Sequence, residues 1–133
     1  YVNAVANKAA ALIIYNHEAG GDELISMSIT SEVTVPVFKS DLKNGFDIEK
    51  IKDIYKNKYN GPLVKYEENL SEEGFISAGI LSGKDNMIVS VFGNEDRIIL
   101  TARYDNLGKG ASGAAVQCLN VKIGIDPKFQ LNL

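Results

Sequence analysis

Two apolar runs and the short link between them decide the fold: MIVSVF (residues 87–92), GNED (93–96) and RIILTARY (97–104). Both runs are rich in β-branched and aromatic residues, which favour strands, and the link consists of residues that form turns. The pattern therefore predicts a β-hairpin. Because both strands are apolar almost throughout, we expect this hairpin to occupy the centre of a sheet.

Upstream of the hairpin, the sequence predicts a further strand and a helix. Residues 33–38 (VTVPVF) are strand-like, but Pro36 cannot donate a backbone hydrogen bond, so this strand lies at an edge or is bulged there. The predicted helix, Ile48–Tyr59, has Asp47 as its N-cap and carries its apolar residues along one stripe. Its lysines and acidic residues then form a solvated face, with an anion-binding patch as the alternative interpretation.

The order of the remaining elements sets the fold class. Asn60-Gly61-Pro62 is expected to end the helix, because glycine accepts the left-handed conformation and proline cannot continue a helix; Leu63–Tyr66 follows as a short strand. Residues 1–30 are predicted to form a helix, a buried strand, a loop and a further strand. Together these elements predict an α+β fold, a mixed and largely antiparallel sheet with helices on one face, in a single domain spanning residues 1–133.

Composition excludes several classes of function. The net charge of −3 argues against a nucleic-acid partner, because phosphate binding usually shows as a basic excess. The longest apolar run, Ala9–Tyr15, is far shorter than the roughly 20 residues of a membrane helix. A single cysteine excludes an internal disulfide and fits the cytoplasm, and with one histidine it suggests no metal site. The start at Tyr1, without Met or a signal peptide, suggests a processed or excised piece.

The segment Tyr104–Gln117 is the most distinctive, because a strand runs into a glycine-rich turn from which a helix begins. Glycines allow close approach to the backbone, and N–H groups at a helix start favour anionic or carbonyl groups, to which Lys109 adds charge. The spacing matches neither a P-loop nor the dinucleotide fingerprint. The helix, Ala111–Ile123, is apolar on nearly every side and is expected to be buried. Its amides, Gln117 and Asn120, then either bond neighbouring loops or face a ligand.

The residues from Asp105 to Asn120 (DNLGKGASGAAVQCLN) closely resemble the C-terminal motif of the N-acetyl-gamma-glutamyl-phosphate reductases, NADPH-dependent enzymes of arginine biosynthesis. The resemblance extends upstream: residues 33–104 are similar to the family's substrate and dimerisation region, and residues 105–133 to its closing turn and helix. It implies a fold similar to the C-terminal domain of glyceraldehyde-3-phosphate dehydrogenase, a homo-oligomer and an NADP cofactor. It also implies four residues near the nicotinamide: Asn106, Lys109, Gly110 and Gln117.

The departures from the family are as informative as the matches. The family's enzymes have a Rossmann domain, a nucleophilic cysteine and a catalytic histidine, none of which this sequence matches. Cys118 lies inside the helix that we expect to be buried, where we interpret it as a packing residue. His17 lies in a loop outside the family's motif. We therefore expect no catalytic residue here, and no reductase activity from this chain without its missing Rossmann partner.

Two functions from different classes follow. The first is a fragment of an NADPH-dependent oxidoreductase of arginine biosynthesis. The alternative is a non-catalytic binding or assembly module, since residues 1–30 do not fit the reductase and weakly resemble the helix–strand element of protease-associated domains. A natural fragment, a chimera and an engineered join are all open. An independent small enzyme is disfavoured, because nothing in the sequence brings a nucleophile, a base and an oxyanion donor together.

Overall fold

A computed structural model of the chain describes residues 30–71, 74–77 and 79–133. The elements predicted within residues 1–29, and His17 with them, lie outside this range. The described elements, in chain order, are strand β1 Thr30–Phe38, a 3-10 turn Lys39–Asp41, helix α1 Ile48–Lys58, strands β2 Val64–Tyr66, β3 Met87–Gly93 and β4 Arg97–Asp105, a π-helical turn Gly108–Ser112 and helix α2 Gly113–Ile123.

The four strands form one mixed sheet in the order β1-β4-β3-β2. β4 pairs antiparallel with both β1 and β3, whereas β2 pairs parallel with β3. The predicted α+β class, with a largely antiparallel sheet, is confirmed, and so is the central position of the hairpin β3–β4. Pro36 lies opposite Ile99 in β1, which is an edge strand among the described residues, where a missing N–H costs no central ladder bond.

One face of the sheet packs against α1. The register places Val91 opposite Leu100, so these side chains and Ile98 point to the same face. There, buried Val91 and Ile98 meet Ile48 at the start of α1. The predicted N-cap is confirmed, because the Asp47 side chain accepts a hydrogen bond of 2.8 Å from the backbone N–H of Lys50. The apolar stripe of α1 thus completes a core with the central strands.

The opposite face is covered by the irregular chain between β2 and β3 rather than by a helix. Leu70 and Leu81 from this connection pack on Ile88 of β3, and Phe92 lies against them. The same face carries buried polar residues of the central strands: Ser90, Thr101, Arg103 and Asp105. The guanidinium of Arg103 donates to the carbonyl of Ser77 at 2.8 Å, which fastens the connection to the sheet.

Two local predictions are wrong. Gly61 does not take the left-handed conformation; α1 ends instead where the N–H of Tyr59 donates to Tyr55 O at 2.8 Å. Helix α2 is not buried all round, since Leu119 is 57% exposed and Val121 and Ile123 are 59% exposed. The reason is its position: α2 continues from the π-helical turn, against which it mainly packs, and it makes few contacts with the described sheet, so apolar residues on more than one of its sides stay exposed.

Candidate functional site

Asp105, the last residue of β4, holds the backbone of the candidate site in place through its carboxylate. Its side chain is only 1% exposed. Oδ1 accepts the N–H groups of Leu107 and Gly108, at 2.8 and 2.5 Å, and Oδ2 accepts that of Gly83 at 2.8 Å. The bonds from Gly108 and Gly83 lower the pKa of this carboxyl against the opposing effect of burial. The charged carboxylate therefore joins the glycine-rich turn to the chain that precedes β3.

The glycine-rich segment forms a π-helical turn before α2. The N–H of Gly113 bonds the carbonyl of Gly108, five residues earlier, which defines the turn. A Cβ at Gly108 would lie 2.3 Å from Lys84 O, and one at Gly113 would lie 2.1 Å from Asp85 Oδ1. The close approach predicted for these glycines is therefore to residues 84 and 85 of the same chain. π-Helical turns are rare and occur often at functional sites.

Two of the four predicted site residues are brought together. The ammonium of Lys109 donates to Oε1 of Gln117, across the start of α2. Desolvation lowers the pKa of Lys109, while the nearby Cys118 and Asp85 act in the opposite direction. The pair therefore combines a partly buried cation with an amide held in a fixed position.

The other two predicted site residues lie on the same turn but not in that pair. Asn106 is exposed at the first position after β4. Gly110 is also exposed, and a Cβ there would come within 3.1 Å of the Tyr104 ring. Both are accessible to solvent on the segment that carries Lys109.

The two amides of α2, Asn120 and Gln117, have different partners. Asn120, which is buried, donates through Nδ2 to the carbonyls of Phe129, at 2.8 Å, and Pro127, at 3.3 Å. It therefore fixes the chain that follows α2. Gln117 bonds Lys109 instead, and so the site contains one structural amide and one amide beside the turn.

The sequence analysis did not identify Asp85 and Asn132, which hold the segment packed against the glycine-rich turn. Asp85 Oδ2 accepts the N–H of Asn132 at 2.9 Å, and the Asp85 N–H donates to Asn132 O at 2.7 Å. The Asn132 amide donates to Gly83 O at 2.7 Å, and Lys84 Nζ donates to Leu133 O at 2.9 Å. Only the likeness of residues 82–85 to the reductases pointed here, because these partners are 47 to 49 residues apart in sequence.

The interpretation of Cys118 as a buried packing residue is wrong, because its side chain is exposed. α2 turns this position toward the side that the described chain leaves uncovered. Within the described ranges, no three His, Cys, Asp or Glu side chains are grouped so as to hold a metal ion. No helix among the described residues is long and apolar enough to cross a membrane.

The chain is similar in sequence to curated bacterial reductases. Each of them is named N-acetyl-gamma-glutamyl-phosphate reductase. The protein of Brucella suis (strain ATCC 23445 / NCTC 10510) is 41% identical over 98 residues, and that of Brucella ovis is 40% identical over 97 residues. Each match covers 69% of this chain and 31% of the relative. No family model matches the chain.

The chain is thus homologous to the N-acetyl-gamma-glutamyl-phosphate reductases, which confirms the resemblance seen in residues 105–120. It spans about a third of the length of these relatives. The relatives named above give no support to the likeness of residues 1–30 to protease-associated domains.

Proposed function

We propose that this chain is the substrate and dimerisation portion of a cytoplasmic, NADPH-dependent N-acetyl-gamma-glutamyl-phosphate reductase of arginine biosynthesis. The observation that carries the proposal is 40% identity to the Brucella ovis reductase over 69% of the chain. The π-helical turn supports it, since residues 105–120 contain the most specific sequence motif and the backbone of this turn is held by the Asp105 carboxylate.

The Lys109–Gln117 pair suits one side of a nicotinamide site. Gln117 Oε1 already accepts from Lys109, which restricts the rotation of the amide. An amide fixed in this way can pair with a carboxamide, and the exposed Gly110, which has no side chain, allows a flat ring to approach beside the exposed Asn106. Bound NADPH would supply the hydride; this chain would bind and orient it.

The described residues hold no set of groups able to perform the reaction by themselves. Cys118 is exposed on α2, and the histidine of the chain is outside the described ranges. The rest of the reductase, including a Rossmann domain, would supply the nucleophile, the acid–base group and the phosphate-binding loop. The exposed apolar side chains of α2 mark the surface that we assign to this partner, because they are uncovered in a chain spanning 31% of its relatives.

A chimera tests the proposal. The aligned segment of the Brucella ovis reductase is replaced by the matching segment of this chain. The rate of NADPH oxidation is then measured with N-acetyl-gamma-glutamyl phosphate as the substrate. We expect activity from the chimera and none from this chain alone. A folded but inactive chimera, or turnover by the isolated chain, would contradict the proposal.

Variants of the chimera test the cofactor residues. Lys109→Ala and Gln117→Ala should each raise KM for NADPH about tenfold, the loss expected for one charge-assisted hydrogen bond. Lys122→Ala is the matched control, because this exposed lysine lies in the last turn of the same helix. An unchanged KM in both variants would remove these residues from the site.

Self-association is expected both of this function and of the alternative, a non-catalytic assembly module. The exposed side chains of Leu119, Val121 and Ile123 favour an interface. The reductase proposal predicts a homo-oligomer in the active chimera. Light scattering that shows a monomer at all concentrations would argue against both the homo-oligomer and the assembly module.

A further inference from the structure

We propose that Asp85 is a positioning residue for the Lys109–Gln117 pair, because its carboxylate fixes the point where α2 begins. This inference deepens the function proposed above and rests on it for its meaning. Neither the sequence motif nor the predicted site included Asp85, which lies in the connection before β3.

Asp85 is itself held firmly. Its backbone N–H donates to Asn132 O at 2.7 Å, and its Oδ2 accepts from Asn132 N at 2.9 Å. The neighbouring Gly83 is bonded on both sides, by its N–H to Asp105 and by its carbonyl to the Asn132 amide. Asp85 is thus bonded to the chain at Asn132, and its neighbour Gly83 to both that chain and β4, so the carboxylate can fix the position of a third segment.

The third segment is the turn. The second oxygen of Asp85, Oδ1, occupies the space that a side chain at Gly113 would need, since a Cβ there would lie 2.1 Å from it and 2.7 Å from Cγ. At Gly108, a Cβ would lie 2.9 Å from the same oxygen. Real Cβ atoms do not approach so closely, so the first residue of the π-helical turn and the first residue of α2 are glycines because Asp85 and Lys84 lie against them.

The position of the turn determines the position of the pair. Gly113 and Gln117 are four residues apart in α2 and therefore lie on one face of the helix. Lys109 lies within the turn itself. A displacement of the helix start relative to Asp85 would move both side chains, whereas the rest of the sheet would stay in place.

The charge of Asp85 also favours the Lys109–Gln117 pair. It opposes the lowering of the Lys109 pKa by desolvation and so favours the charged ammonium that donates to Gln117. A merely structural carboxylate would affect stability but would leave the ionisation of Lys109 and the environment of the Gln117 amide unchanged.

A double-mutant cycle in this chain, without cofactor, tests the contact. Gly113→Ala should lower Tm by about 5 °C or more, because the methyl group collides with the carboxylate. Asp85→Ala added to Gly113→Ala should recover at least half of that loss, since it removes the two closest colliding atoms, although the Gly108 carbonyl carbon at 2.9 Å stays. Gly61→Ala is the matched control, because no atom lies within 4 Å of a Cβ there and its backbone is not left-handed. Additive losses would overturn the contact.

A second measurement keeps the proposal testable if Gly113→Ala does not fold. Asp85→Asn should lower the pKa of Lys109 and shift the side-chain amide signals of Gln117 in NMR spectra, while Asp126→Asn, at an exposed site, leaves both unchanged. If Asp85→Asn leaves both unchanged, the positioning role is wrong. Because no cofactor or substrate is used, that result would leave the reductase proposal intact.

Discussion

The carboxylate of Asp105 and the backbone N–H of Gly83 form a hydrogen bond of 2.8 Å, although 22 residues separate them in sequence. Two residues earlier on the same strand and face, the guanidinium of Arg103 binds the carbonyl of Ser77. Opposite charges on one strand thus fasten two points of a single connection. The connection carries Lys84 and Asp85 onto the glycine turn, and so the sheet sets the geometry of the candidate site.

The stability of the chain should depend on pH through Asp105. Hydrogen bonds lower the pKa of this carboxyl in the folded state, below the value of about 3.9 of an unfolded chain. Its contribution is complete above that unfolded pKa and is lost as pH falls through the lower folded pKa. Asp105→Asn should therefore reduce the free energy of unfolding at pH 7 by about 1–3 kcal/mol and flatten its decrease below about pH 4.

Urea unfolding between about pH 7 and pH 2 measures this effect. Asp53→Asn is the control, because Asp53 lies exposed on α1 and has no part in the turn. Equal pH dependence in the two variants would show that Asp105 does not hold the turn through its charge.

Elements that depend on neighbouring residues were predictable from the sequence. The hairpin β3–β4, the N-cap at Asp47 and the edge position of Pro36 follow from strand composition, capping chemistry and the missing proline donor. Each involves partners close in sequence or a property of a single residue. The core of the sheet then follows, because the pairing register places Val91 and Ile98 on the face that receives α1.

Features that depend on distant partners were not predictable in the same way. The support of the turn by Asp85 and Asn132 joins residues 47 apart, and no periodic pattern connects them. The apolar pattern of α2 predicted a buried helix, but a pattern cannot tell whether the covering atoms would belong to the same chain. For that reason the exposure of Leu119 and Cys118 differs from the expectation.

Alanine substitutions at two neighbouring isoleucines of β4 should differ sharply in their effect on the free energy of unfolding. Ile98 is 1% exposed in the core beneath α1, whereas Ile99 points to the other face and is 42% exposed. Ile98→Ala should reduce the free energy of unfolding by about 2–5 kcal/mol, because it leaves a cavity, and Ile99→Ala by about 1 kcal/mol or less. Chemical denaturation of both variants measures the difference. Similar losses would contradict the orientation of β4.

The start of α1 should depend on its capping side chain. Asp47→Ala removes the acceptor for the Lys50 N–H and should cost about 1 kcal/mol. Asp53→Ala, in the middle of the same helix, removes the same carboxylate from an exposed position and should cost about 0.5 kcal/mol or less. Thermal unfolding of both variants distinguishes a capping effect from a general loss of negative charge.

The rate at which the Cys118 thiol is modified should show whether α2 is covered in the complete reductase. Because it is the single cysteine of the sequence and is exposed on α2, a thiol reagent should modify this folded chain at nearly the rate of the chain in denaturant. Under the same conditions, Cys118 in the chimera with the rest of the Brucella ovis reductase should react at least tenfold more slowly than in the isolated folded chain. The reason is that the remaining domain would exclude solvent from the side of α2 that carries Leu119. The chimera's other cysteines are replaced by serine so that only this thiol is counted. Slow modification in the isolated chain would contradict the exposure of Cys118, and equally fast modification in the chimera would show that the Rossmann portion does not dock on α2.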